Sequence, residues 1–354
     1  MFPDKIIKPE FFSSSTQVVK IEPGTPFRVI KRKITQNHKI CFTHSFAFAM
    51  SFYSWLKKQN NIKNAAKDYK SFRNNRDNLK RWCTNIFIPV KNHKVALEKA
   101  PAQPWLKEFY SDSDAFMMRL SDFLGLNGAY QWYKKGIQYP VINHPVHPFY
   151  GVYFPTRFEH LSLFDRWLVE QKHIENAIDI GTGCGVLALI MSKYNIRHIK
   201  ATDINYNAVF STSMEVSRRG LSRQIEVQVS HFTGNSQEQK YALIVFNPPW
   251  IPALTDSYID KAVYYEPGFF ENFFTHIYNK MHKDSLLVIL FSDFAHVAGI
   301  SDVNPIIQEL ENNNRFFLKE KRQASVKQKA SRKKNWLAEI RYQEKLSLWV
   351  LKKK

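Results

Sequence analysis

The chain has 354 residues, of which 44% are hydrophobic, with 51 Lys+Arg against 31 Asp+Glu and a formal net charge of +20. It has room for two domains of ordinary size. No membrane partner is expected, because the most apolar stretch, 40–56, is broken by Thr43, His44, Ser45, Ser51 and Ser54 and reads as a core helix.

From the start, residues 1–40 read as an irregular or β-rich lead-in, with 25–35 (TPFRVIKRKIT) as one strand. The opening MFPDKIIKPEFF lacks the pattern of a cleaved signal. From His44 the pattern turns helical, with Phe46, Met50, Tyr53 and Leu56 on one stripe. A basic run follows, in which Lys57, Lys58, Lys63, Lys67, Lys70, Arg73, Arg76, Lys80 and Arg81 alternate with Tyr69, Phe72 and Trp82. Interleaved cations and aromatics suit a grip on nucleic-acid backbone and bases; a solvated helix face is the alternative. Residues 113–124 read as a helix and 144–149 (HPVHPF) as a rigid connector. His144 and His147 lack a third ligand at usable spacing, so no metal is expected. The three cysteines, Cys41, Cys83 and Cys184, are scattered, which fits unpaired thiols and a reducing, cytoplasmic setting.

After Tyr150 the character changes, and two domains are expected: 1–150, basic, aromatic-rich and partly helical, for substrate recognition, and 151–354 as the catalytic unit. Charge follows the same division. Residues 1–150 hold 24 Lys+Arg against 10 Asp+Glu, 151–314 hold 13 against 18, and 315–354 hold 14 against 3. A weakly acidic core between basic flanks suits a polyanionic substrate. Helix and strand patterns then alternate: a helix from about Phe158 to Leu168, strands at 177–180, 198–203, 224–230, 241–246 and 285–291, and helices between them. This βαβα alternation implies a parallel, doubly wound sheet. Two strands near 315–323 and 345–352 would close it, with a basic, helical insertion near 324–344 that includes Trp336.

The glycine turn AIDIGTGCG follows the first of these strands. Position 186, where a dinucleotide fingerprint needs its third glycine, is Val. The pattern Asp179-x-Gly181-Thr182-Gly183-x-Gly185 instead resembles motif I of the class I S-adenosylmethionine-dependent methyltransferases. An acid beside such a turn suits a ligand carrying an amino group. Asp203, about 20 residues on at the end of the second strand, suits the ribose hydroxyls of an adenosine, with Ile204 against its ring. Thr156, in the loop before the first helix, joins the candidate cofactor set.

The sharpest signal is IVFNPPW at 244–250. Two prolines cannot continue a sheet, so the chain leaves it at Asn247 in a stiff corner. That corner resembles the Asn-Pro-Pro-aromatic motif of amino-methyltransferases, which modify adenine in DNA or RNA or glutamine in release factors and ribosomal proteins. The resemblance, over about 152–294, implies a Rossmann-like seven-stranded sheet and S-adenosyl-L-methionine as cofactor. It also implies that the Asn247 side-chain oxygen and the Pro248 carbonyl accept from a planar NH2, with Pro249 and Trp250 completing the corner. Asn247 also counts in the cofactor set. The acid that this family usually has after strand three is missing, and Ser230 or His231 stands there. The expected substrate is an amino group of a base in RNA; alternatives are a protein glutamine, DNA adenine, or an inactive fold that only binds RNA. Oligomeric state is not legible.

Overall fold

The computed structural model describes residues 2–60, 68–234, 240–255, 258–326 and 336–354. Within these, the chain forms two compact units, Met1–Gln131 and Trp132–Lys354.

The first unit carries strands β1 (Phe11–Ser13), β2 (Val19–Ile21), β3 (Ile40–Phe42), β4 (Ile86–Lys91), β5 (Lys94–Val95) and β6 (Ala115–Arg119). Its helices are α1 (Phe27–Thr35), α2 (Phe46–Asn60), α3 (Tyr69–Cys83), α4 (Trp105–Phe109) and α5 (Leu120–Lys135). The sheet is mixed, in the order β1-β6-β4-β3-β2, with β5 beside β4. Phe27, Phe42, Phe48 and Phe52 interlock as tilted and edge-on rings between α1, β3 and α2.

Three sequence expectations change here. Residues 27–35 form a helix and not a strand, because Pro26 presets its entry and the buried Ile30 and Ile34 are one turn apart. Residues 115–119 form a strand within the segment expected as a helix: Phe116, Met117 and Met118 are all buried and pair with β1 and β4, so the helix starts only at Leu120. The buried stripe of α2 is Ala49, Phe52 and Leu56, so of the predicted stripe only Leu56 is fully covered. In the basic run Lys57, Lys58, Lys70, Arg76, Lys80 and Arg81 are exposed, whereas Lys63 and Lys67 lie outside the described residues.

The second unit begins before the HPVHPF connector and not after Tyr150, since that connector is held inside it. The His147 backbone N–H donates to the Glu215 carboxylate at 3.1 Å, and the Phe149 N–H donates to Ser211 Oγ at 3.0 Å. Its elements are α6 (Glu159–Val169), β7 (Asn176–Ile180), α7 (Val186–Ser192), β8 (His198–Asp203), α8 (Tyr206–Arg218), β9 (Ile225–Val229), β10 (Leu243–Phe246) and β11 (Ile251–Pro252). There follow α9 (Tyr258–Lys261), β12 (Tyr264–Tyr265), α10 (Phe269–Lys280), β13 (Leu286–Ser292), α11 (Phe294–Val297) and α12 (Pro305–Gln308). The last are β14 (Phe316–Ser325), α13 (Trp336–Gln343) and β15 (Lys345–Lys353).

Seven strands lie in the order β14-β15-β13-β10-β7-β8-β9. From β13 to β9 all are parallel, while β15 runs antiparallel to both β13 and β14. This is the doubly wound seven-stranded α/β sheet that the sequence implies. Strand order reverses between β7 and β10, the place where open α/β sheets leave a crevice at the carboxyl ends. On the flank of the sheet carrying α10, the core interleaves Ile178, Ile244, Leu287 and Ile289 with Phe273, Phe274 and Ile277. Of the basic insertion expected near 324–344, residues 327–335 lie outside the described residues; 336–343 are the helix α13. No helix among the described residues is long and apolar enough to cross a membrane.

Candidate active site

The register places the motifs side by side. Ile180 pairs with Phe246 across β7 and β10, so Gly181 and Asn247 leave neighbouring strands at the same level. Asp203 pairs with Val229 across β8 and β9, so Ser230 follows at that level too. A cleft at these four strand ends is lined by Gly181, Thr182, Gly183, Asp203, Ile204, Ser230, His231, Asn247 and Pro249.

The turn itself is fixed by backbone geometry. Gly181, Gly183 and Gly185 have φ of 62°, 56° and 84°, values that disfavour any side chain. A Cβ on Gly183 would stand 2.9 Å from the Tyr153 carbonyl oxygen, and one on Gly185 2.9 Å from Thr212 Cγ2. Gly183 therefore lets the 150s loop close over the turn, while Gly185 lets α7 approach α8. Gly185 does not line the cleft.

Asp179, expected against a ligand amine, does not line it either. It is fully buried; its Oδ2 accepts from Thr182 Oγ1 at 2.6 Å and from the Ala188 N–H at 3.2 Å, while its Oδ1 has no hydrogen-bond partner among the described residues. Asp179 thus ties the turn to the first helical residues of α7, and burial pushes its pKa up to about 7. Asp203 does reach the cleft. Its carboxylate accepts from the Gly183 N–H at 3.0 Å and the Asn205 N–H at 2.8 Å. Burial raises its pKa, and those backbone donors oppose the rise. Carboxylate oxygens accept more than one hydrogen bond each, so capacity remains for a ligand. Ile204 is 39% exposed on the cleft wall. Ser230 and His231 stand where the family has an acid; burial and Lys261 hold the His231 pKa below its ordinary value.

A second cavity adjoins the first, and Tyr153, Pro155, Asn247 and Ala262 wall both. The second is also lined by Thr156, Arg157, His160, Pro248, Trp250, Phe294 and Arg341. Thr156, expected in the cofactor set, lines this cavity and not the cleft at the glycine turn. Trp250 is held rigidly, its Nε1–H donating to the Leu290 carbonyl at 3.1 Å. Asn247 Oδ1 is buried and has no hydrogen-bond partner among the described residues.

Sequence reasoning missed Tyr153, Arg157, His160 and Arg341. Arg157 and Arg341 donate to the fully buried Glu344 carboxylate at 3.1 and 3.3 Å, and Ser292 Oγ donates to it at 2.6 Å. These residues gather at the site only through the sheet. Among the described residues no group of three or more His, Cys, Asp or Glu is placed to hold a metal ion.

Residues 161–262 match the family model of the methyltransferase small domain. Over 95 residues the chain is 32% identical to a tRNA1(Val) (adenine(37)-N6)-methyltransferase of Pseudoalteromonas atlantica, covering 25% of this chain and 36% of that one. Over 105 residues it is 30% identical to a ribosomal protein uL3 glutamine methyltransferase of Xylella fastidiosa, covering 29% and 33%. Over 90 residues it is 33% identical to a ribosomal protein L11 methyltransferase of Rhizobium etli, covering 25% and 30%. The chain thus spans about a third of the length of the curated relatives it matches. The match to the methyltransferase small domain falls within the second unit and spans the glycine turn, Asp203 and the proline corner.

Proposed function

We propose that this protein transfers a methyl group from S-adenosyl-L-methionine to the planar amino nitrogen of a base in RNA. One observation carries the reading: the unpartnered Asn247 oxygen stands in the wall common to two cavities, one at the glycine turn and one beyond the proline corner. A buried acceptor without a donor is costly, and a transferable NH2 supplies the donor at the point where the two cavities meet.

The first cavity fits the cofactor. Gly181 offers exposed backbone on its wall, Asp203 offers a carboxylate for ribose hydroxyls, and Ile204 offers an apolar wall. The bound cofactor supplies an electrophilic methyl on a sulfonium. The chain's own part is orientation. Asn247 Oδ1 and the Pro248 carbonyl accept hydrogen bonds from the two N–H groups, which favours a pyramidal nitrogen with its lone pair free, and the anchored Trp250 ring fixes the plane of the acceptor. As the N–C bond forms the S–C bond would break with its pair on sulfur, the neutral thioether would leave, and the cationic nitrogen would lose one proton to water. No strong base is needed for that step.

RNA is favoured over protein by the charge of the chain, +14 in residues 1–150 and +11 in 315–354. The likeness to a uL3 glutamine methyltransferase favours the second reading, a protein glutamine amide, which presents the same planar NH2. The buried free cysteines fit a cytoplasmic setting. Incubating extract from cells lacking this protein with labelled methyl donor and the enzyme distinguishes the two. RNase-sensitive label supports the RNA reading, and protease-sensitive label replaces it with the glutamine reading.

A further inference from the structure

The second cavity holds another buried polar group that the fold leaves unused. His160, on α6, is 2% exposed, and neither ring nitrogen has a hydrogen-bond partner among the described residues. Its ring stands edge-on to Trp250, with centroids 5.7 Å apart and planes at 90°. Burial lowers its pKa to about 4, so the imidazole is neutral and carries one N–H donor and one bare nitrogen. A leucine would fill the same space without leaving polar atoms unpaired. The histidine therefore burdens the fold, and what lines the cavity with it is the amino-accepting corner, Asn247 and Pro248.

The cavity also has a cationic side. Arg157 and Arg341 share the single Glu344 carboxylate, and their side chains remain 27% and 31% exposed while Glu344 is covered. Glu159 also acts on Arg157, yet both guanidiniums keep part-exposed faces on the cavity wall, where an anion can pair with them.

We propose that this cavity seats a nucleotide, with the His160 N–H donating to the ring nitrogen beside the amino-bearing carbon of an adenine or cytosine and the nucleotide's phosphate against Arg157 and Arg341. The inference rests on the RNA reading above and adds what selects the base. A glutamine amide offers an oxygen to the same N–H but brings no anion for the arginines, so the nucleotide is the better match.

The test measures transfer of labelled methyl from S-adenosylmethionine to RNA taken from cells lacking this protein, together with melting temperature and S-adenosylhomocysteine affinity. His160→Leu is expected to melt no lower than the wild type and to keep S-adenosylhomocysteine affinity within about twofold. Its kcat/KM for RNA should fall about 30-fold or more, as happens when a site's polar contact to a base is lost. His160→Asn, which keeps a donor, should recover part of that loss. Arg157→Gln should raise KM with little change in kcat and reduce the slope of log KM against log salt by about one.

Wild-type transfer to RNA with an equally active His160→Leu overturns the base contact, and so does a leucine variant that fails to fold, since the histidine would then be structural. An unchanged salt slope in Arg157→Gln overturns the phosphate contact. A wild type that labels only protein defeats the RNA reading itself, and the nucleotide seat with it.

Discussion

The two cavities that meet at Asn247 present their polar groups differently. In the first, the acid on the wall is held by the fold, Asp203 accepting from the Gly183 and Asn205 N–H groups, while Asp179 behind the turn keeps one buried oxygen, Oδ1, without a partner among the described residues. In the second, Asn247 Oδ1 and both nitrogens of His160 are unpartnered among the described residues, and two arginines share one carboxylate. A lining acid already held by backbone donors suits a cofactor bound in one rigid pose. A cavity with unfilled hydrogen-bonding capacity suits a substrate that must be recognised by supplying the missing partner. Stability and function should therefore separate differently in the two places.

The largest effect is expected where the first cavity's geometry is least negotiable. Gly183→Ala combines a left-handed φ with a Cβ only 2.9 Å from the Tyr153 carbonyl oxygen. It should cost about 2–4 kcal/mol by thermal or urea unfolding and weaken donor binding at the same time. Coupled loss of both is what a fold-satisfied site predicts; donor binding lost with stability intact would break the contrast.

Next in size, Asp203→Ala removes the acceptor of the Gly183 and Asn205 N–H groups along with the proposed ribose contact. Calorimetric affinity for S-adenosylmethionine should fall about 100-fold, equivalent to about 2.7 kcal/mol. Unchanged affinity would remove Asp203 from the cofactor site.

On the second cavity, Glu344→Gln leaves Arg157 and Arg341 without their counter-charge. Because both guanidiniums are part exposed, the expected cost is about 1–2 kcal/mol rather than the full buried-pair penalty. The variant should also bind RNA with a steeper salt dependence than the wild type.

A further effect is on pH. The folded pKa of His160 lies below its unfolded value, at about 4 against 6.5. Its contribution to stability is present above pH 6.5 and is lost as pH falls toward 4. His160→Leu should therefore flatten the fall in melting temperature over that window. A parallel fall in both proteins would mean that His160 is not buried in its neutral form.

Much of the first cavity was legible in sequence, because its residues follow one another within short stretches: a strand, a glycine turn, an acid at the next strand end, a proline corner. Strand β8 runs from His198 to Asp203 and α6 covers the expected helix, as the periodicity implies. The second cavity was not legible. Arg157 and Glu344 are 187 residues apart, and they meet only because β15 enters the sheet between β13 and β14. His160 is the one polar residue among the buried positions of α6, and nothing in the local sequence marks it. Asp179 read as a ligand contact because the motif cannot show that Thr182 turns back onto it. In the first unit, a short amphipathic helix at 27–35 mixes apolar and basic residues as an edge strand would, and Pro26 decides between them. The internal strand β6 lies in a segment read as a helix over 113–124.

The most direct test of the central claim is Asn247→Ala, measured for donor affinity and methyl transfer on the same preparation. The two-cavity account predicts S-adenosylmethionine affinity within about twofold of wild type and transfer lowered by about a thousandfold, the scale of losing an oriented polar group at the reacting centre. Transfer retained at near the wild-type rate would contradict it.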